Sequence, residues 1–336
     1  MRLRIVGLVG LAAGLAAATV VPELLAQPAA AGPKPTWVYA HDLRVRNGGK
    51  TDFGAETPKF GIEFFKDDAA NALIAVTQAG NLAVVPAGTV GTDKKANWLF
   101  AHDLRARKSD DENWKNASKF GVEAFKDMAS GKLLYVSEKA SIALADAPTP
   151  VATDKEPVWH HGLILKVRGP SETEFGKDTK KIGVEAFKDG NTGGLIYISE
   201  AGSIATAPAP AQPPPPDKVK APKALYGLTL RVRKADEADF GEKTKKVGVE
   251  VFKDENTGGL IYISEIGTIA TAPAPAELKT GLSVTWKHAM TLKARPGGVN
   301  EFAKANKYGV EAFTDNNTGH TIYVSETGAI AVLPKK

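Results

Sequence analysis

One phrase is written five times in this chain of 336 residues, and it limits the fold more than any other feature. Its clearest form is KKIGVEAFKDGNTGGLIYISEAGSIATAP, residues 180–208. It returns over 245–273 and 307–334, and in looser form over 59–86 and 119–146. A glycine marks the shared position: Gly61, Gly121, Gly183, Gly248 and Gly309, spaced 60, 62, 65 and 61 residues apart. A near-constant period of this size is the mark of a repeat architecture. Each copy has a leading segment, WVYAHDLRVR (37–46) in the first and WKHAMTLKAR (286–295) in the last. A lone aromatic follows it: Phe53, Trp114, Phe175, Phe240 and Phe302. The units are therefore 37–86, 98–146, 159–208, 224–273 and 286–334, with Pro/Ala-rich spacers between them.

Within a unit the side chains alternate with a period of two. Leu43 and Val45 face one way, Arg44 and Arg46 the other, which predicts a half-exposed strand. KFGVEAFKD predicts a second strand, with Gly121, Glu123 and Phe125 on one face and Val122 and Ala124 on the other. Asp, Asn, Thr and Gly in KDGNTGG are hairpin-turn residues, since Asn and Gly accept positive φ. LIYISE and SIATA supply a third and a fourth strand. The chain is read as all-β: five tandem antiparallel four-stranded repeats, with helical periodicity nowhere after the N-terminal segment.

Two assemblies fit five such units. They form a five-bladed β-propeller-like ring, or they hang as small β modules on a string. A unit this short without disulfides is near the lower limit for folding alone, which favours shared burial. The spacers pull the other way: they are Pro-rich, unequal and longer than ordinary connections. The repeats also run in phase, with no strand left over at one end to complete a unit at the other. On these grounds the reading leans slightly to modules. No WD or kelch signature occurs in the copies.

The N-terminus predicts export. Arg2 and Arg4 precede an apolar stretch, 5–21, and a small-residue site allows cleavage after Ala31, or alternatively after Ala26. The stretch is short for a membrane span. The chain has no cysteine, so neither a lipid anchor on cysteine nor a disulfide is available. The net charge of +5 is small and both signs are interleaved, which argues against a nucleic-acid partner.

Four groups of residues are candidates for chemistry. Asp189 to Gly193, with Asp254 to Gly258 and Asp315 to Gly319, resembles the opening of a calcium loop but lacks the downstream bidentate Glu; a plain hairpin turn is the favoured reading. Glu63, Glu123, Glu185, Glu250 and Glu311 recur, and a second series follows at Glu138, Glu200, Glu265 and Glu326, with Gln78 in the first copy. Paired carboxylates suit glycoside hydrolysis, but a fivefold active site is a poor reading. Cross-strand ion pairs with Arg44, Arg105, Lys166, Arg231 and Lys293 are expected instead. The histidines show no metal-ligand spacing, and Ser137, Ser199, Ser264 and Ser325 have no base assigned to them. Trp37, Trp98, Trp159 and Trp286 open four copies, with Ala224 in the other; Tyr197, Tyr262 and Tyr323 recur on the third strand. These rings are the candidate ligand contacts, although core roles are the more common fate of such residues.

The expectation is an exported, secreted or periplasmic, non-enzymatic repeat protein, with no catalytic residue, cofactor or metal assigned. It would bind a protein or polysaccharide at the cell surface or envelope multivalently, or act as a scaffold there. A lectin-like protein is the alternative and an enzyme of unknown type the second alternative.

Overall fold

The computed structural model describes residues 34–335, apart from 112, 211–213, 216–217 and 243. The apolar stretch 5–21 and both candidate cleavage positions lie outside them. The described residues form five four-stranded antiparallel sheets, each a meander of four consecutive strands. Blade 1 holds β1 to β4 (Thr36–Arg44, Lys59–Asp67, Ala72–Thr77, Leu82–Pro86). Blade 2 holds β5 to β8 (Ala96–Ala106, Ser118–Asp127, Leu133–Ser137, Ile142–Ala145). Blade 3 holds β9 to β12 (Val158–Val167, Lys180–Lys188, Leu195–Ser199, Ile204–Ala207). Blade 4 holds β13 to β16 (Lys223–Val232, Lys245–Lys253, Leu260–Ser264, Ile269–Ala272). Blade 5 holds β17 to β20 (Val284–Ala294, Asn306–Asp315, Thr321–Ser325, Ile330–Leu333). Two short 3-10 turns, Trp114–Asn116 and Phe302–Lys304, interrupt the first loops of blades 2 and 5.

The second strand shows why these units do not fold alone. Its side chains alternate, but both faces are buried: in β2 only Lys59 and Lys66, near its two ends, are exposed. One face must therefore pack on each side. Ile62 and Phe64 of blade 1 meet Phe125 and Leu134 of blade 2. On the opposite face, Phe65 and Ile74 meet Met290 and Leu292 of blade 5. The same exchange joins blade 2 to 3, 3 to 4 and 4 to 5. Every apolar cluster thus spans two neighbouring sheets, and burial of each large side chain contributes about 1.5–3 kcal/mol.

That arrangement closes a ring, a five-bladed β-propeller. The fourth strands β4, β8, β12, β16 and β20 stand side by side around the axis, with β20 against β4. They line a central cavity of about 60 Å³ walled by residues such as Leu82, Ile142, Ala205, Ala270 and Val332. The lean toward independent modules is corrected here. The in-phase repeats do mean that no strand is exchanged between the ends, since each blade is made of its own four strands. Closure between blades 5 and 1 is made by side chains instead. The hydroxyl of Tyr323 donates to Asp67 at 2.8 Å, and the backbone N–H of Gly297 donates to Gln78 at 2.6 Å. Among the described residues no helix is long and apolar enough to cross a membrane.

Candidate functional site

The polar residues singled out by repetition gather at the joints between blades. Each leading strand carries a β-bulge one residue after its opening position, between Trp37 and Tyr39 in blade 1. A bulge turns the residue before it onto the other face of the strand. Trp37 is thereby placed opposite Phe65, on the face that carries Glu63, while Tyr39 stands opposite Phe64. The indole N–H of Trp37 donates to Glu63 at 2.6 Å. Trp98, Trp159 and Trp286 donate in the same way to Glu123, Glu185 and Glu311 at 2.6, 2.8 and 2.7 Å.

The glutamates' ionic partners differ from those expected. The register puts Arg44 opposite Lys59, and Glu63 opposite Ala40. The expected pairs with Arg44, Arg105, Lys166, Arg231 and Lys293 are therefore corrected. Each Glu pairs with the arginine two residues further on, and that arginine belongs to the preceding blade. Arg46 reaches Glu123, Arg107 reaches Glu185, Arg168 reaches Glu250, Arg233 reaches Glu311 and Arg295 reaches Glu63, with Nε–Oε1 distances of 2.5–2.7 Å. In the first four a second bond from Nη2 makes the pair bidentate, at 3.0–3.2 Å. The lone loop aromatic covers the guanidinium: Phe53, Trp114, Phe175, Phe240 and Phe302 lie 4.6–4.9 Å from it. The Trp of the next blade meets that aromatic edge-on in four joints, 5.7–6.3 Å between centroids. The result is a rim box of Arg, Glu and two rings; Trp37 and Trp98 are 45% and 49% exposed, whereas Trp159 and Trp286 are partly buried against the apolar clusters.

Deeper in each joint lies a second tie. At the end of the second strand, or one residue past it in blades 3 and 4, stands a buried Asp that accepts from the preceding blade. Asp67 takes His288 and Tyr323, at 2.9 and 2.8 Å. Asp127 takes Tyr39 and His41, at 2.6 and 3.2 Å. Asp189 takes His102 and Tyr135, and Asp254 takes His161 and Tyr197, at 2.7–3.1 Å. Asp315 takes Tyr226 and Tyr262, at 2.7 and 2.9 Å. Burial pushes the carboxyls of Asp67, Asp127, Asp189 and Asp254 up, but these hydrogen bonds outweigh it and hold them below the usual carboxylate range. Burial first, then the adjacent Asp, raises the phenols of Tyr135, Tyr197, Tyr262 and Tyr323. Tyr197, Tyr262 and Tyr323 are buried. The expectation that they contact a ligand is corrected: they are closed inside the joints.

These ties also account for the turns. Oδ1 of Asp254 accepts from the backbone N–H and side-chain amide of Asn256, at 2.9 and 3.0 Å, and Oδ2 accepts from His161, Tyr197 and Thr257. Protein donors thus occupy both oxygens of the would-be calcium loop. Among the described residues no group of three or more His, Asp or Glu is placed to hold a metal ion. The hydroxyls of Ser137 and Ser199 donate to the carbonyls of Gly202 and Gly267 on the next blade, both at 2.9 Å. The second carboxylate series receives backbone N–H groups: Gly48 donates to Glu138 at 2.5 Å, Ser109 to Glu200 at 2.7 Å and Ala235 to Glu326 at 2.9 Å.

Sequence reasoning missed the arginine of these ties and read Asp189, Asp254 and Asp315 as turn residues only. A signal for the arginine was present. Position 46 and its counterparts are Arg in all five copies, whereas position 44 alternates Arg with Lys. Only guanidinium offers the fixed fork that grips a carboxylate bidentately.

No family model matches this chain. No curated protein matches it. Among solved structures, the chain is similar to a selenomethionine-substituted virginiamycin B lyase from Staphylococcus aureus, at 12% identity over 89% of each chain with a TM-score of 0.12. It is similar at the same identity and TM-score, over 88% of each chain, to a catalytically inactive form of that lyase with quinupristin. At this level of similarity neither neighbour bears on the activity of this chain.

Proposed function

We propose that the protein is an exported, non-enzymatic binding platform that engages a polymeric or surface-displayed partner through its repeated rim sites. The rim indoles carry this reading, Trp37 and Trp98 half exposed and Trp159 and Trp286 partly exposed. They recur on four blades, each ring fixed by its N–H bond to a buried Glu, so little side-chain freedom is lost when a partner packs on them. The constellations that resembled catalytic sets are used instead to bind blade to blade. Several weak equivalent sites on a rigid ring gain avidity where one polymer reaches two of them. Export rests on the N-terminal segment.

The partner is a protein or a polysaccharide at the cell surface or envelope. A lectin-like role is the second reading, favoured by the exposed faces of Trp37 and Trp98, since an indole face suits stacking on the apolar face of a sugar. The test is a binding screen of the purified mature protein against glycans and cell-envelope polymers, followed by Trp37→Ala, Trp98→Ala, Trp159→Ala and Trp286→Ala singly and together. Binding that weakens stepwise supports the platform. Binding untouched by the fourfold variant, or turnover of a bound polymer, overturns it.

A further inference from the structure

Four joints share one closing scheme, and the joint between blades 3 and 4 departs from it. Ala224 stands opposite Phe252, the register position that Trp37, Trp98, Trp159 and Trp286 hold opposite Phe65, Phe125, Phe187 and Phe313. The strand bulges there as in the other blades, so the backbone is set for an indole that the sequence does not supply. Three consequences are visible. Glu250, only 3% exposed, accepts from Arg168 alone among the described residues. Phe175 covers one face of Arg168 at 4.7 Å, with no edge-on indole from the next blade. Gly227, the cross-strand neighbour of Glu250, is exposed, whereas its counterparts Ala40, Ala101, Gly162 and Ala289 are half-buried.

We propose that this joint is a binding notch for an indole brought by a ligand. The chemistry is read from the four filled copies. In each, an indole N–H donates to the equivalent Glu and the ring meets the loop aromatic edge-on. At blade 4 the same acceptor and the same aromatic are in place, and the outer-strand backbone beside them is open. A buried carboxylate whose one donor among the described residues is Arg168 favours a ring that carries N–H over a plain phenyl ring, because a hydrogen bond to a charged group contributes about 1.5–3 kcal/mol. The inference does not depend on the rim sites binding a polymer. The indole source is either free tryptophan or a tryptophan side chain within a polypeptide, and the chemistry at Glu250 is the same for both.

The test uses the full chain labelled with ¹⁵N, titrated with N-acetyltryptophanamide as the polypeptide-like probe, with L-tryptophan, and with N-acetylphenylalaninamide as the ring without N–H. Saturable movement of the Gly227 amide is expected with an indole probe, at millimolar concentration. Stronger binding of the amide points to a polypeptide source, and stronger binding of the amino acid to the free one. N-acetylphenylalaninamide should bind at least ~10-fold more weakly. Ala224→Trp fills the notch as the sister blades do and should abolish the response. Phe175→Ala, a change at a half-exposed ring, should weaken it several-fold. Absence of saturation with both indole probes, or undiminished binding to Ala224→Trp, overturns the proposal.

Discussion

A single methyl group decides how closely two blades can approach. A Cβ on Gly61, Gly121, Gly183, Gly248 or Gly309 would overlap the carbonyl oxygen of the arginine just beyond the preceding blade's first strand, and backbone cannot yield as a side chain tip does. The glycine's place mid-strand beside Glu and Phe points to a side chain there meeting either neighbouring backbone or the opening aromatic, and it is backbone that it would strike. Which backbone it would strike was not legible, since spacing reports faces and not neighbours. Gly183→Val should destabilise the protein by about 3 kcal/mol, whereas Lys188→Ala should stay within about 0.5 kcal/mol. Chemical denaturation checks it, and equal midpoint shifts would count against the packing described. His160 gives a second expectation. Burial, then the adjacent His161 at 2.5 Å, pushes its pKa down from 6.5 to about 4. Between those values the unfolded chain binds a proton that the folded chain does not, so stability falls as pH drops from about 6.5 to about 4. His160→Leu should reduce that fall in melting temperature. The four low-pKa aspartates act further down: their contribution is full above the ordinary carboxylate range and is lost only as pH falls below it.

At the scale of elements, the strand pattern was readable because burial on one face imposes a period of two, and the hairpins because Asn and Gly mark positive φ. Gly193 and its equivalents Gly131, Gly258 and Gly319 do take φ of 72–78°, and Asn71 takes 49° in the first copy. The bulge in each leading strand was not readable, as it leaves no residue signature in WVYAHDLRVR. It is nonetheless what brings indole and carboxylate together, so the Trp–Glu contact was hidden with it. The Arg–Glu tie was hidden for another reason, since its partners lie in successive blades, 77 or more residues apart in four joints. Glu311→Ala leaves Arg233 nearly buried without its counter-charge, and should cost about 3 kcal/mol. Asp236→Ala breaks the exposed pair with Lys307 and should change stability by less than about 1 kcal/mol. Melting of the two variants side by side separates joint from surface.

At the scale of the whole molecule, five copies in phase are compatible with either a string or a ring, and spacer composition favoured the string. What decides for the ring is the second strand, buried on both faces, together with apolar clusters that always draw on two blades. The long spacers only carry the chain from an inner fourth strand to the next outer first strand. Shared burial means that no blade keeps a complete core when its neighbour is removed. Truncation after Pro208 tests this most directly, because it leaves blades 1 to 3 and strips the partners of Leu165 and Val184 on one side and of Phe65 and Ile74 on the other. Scanning calorimetry of the full chain and the fragment is the measurement. One cooperative transition is expected for the full ring and none for the fragment, which should aggregate. A fragment that melts cooperatively with about three-fifths of the full enthalpy would contradict shared burial.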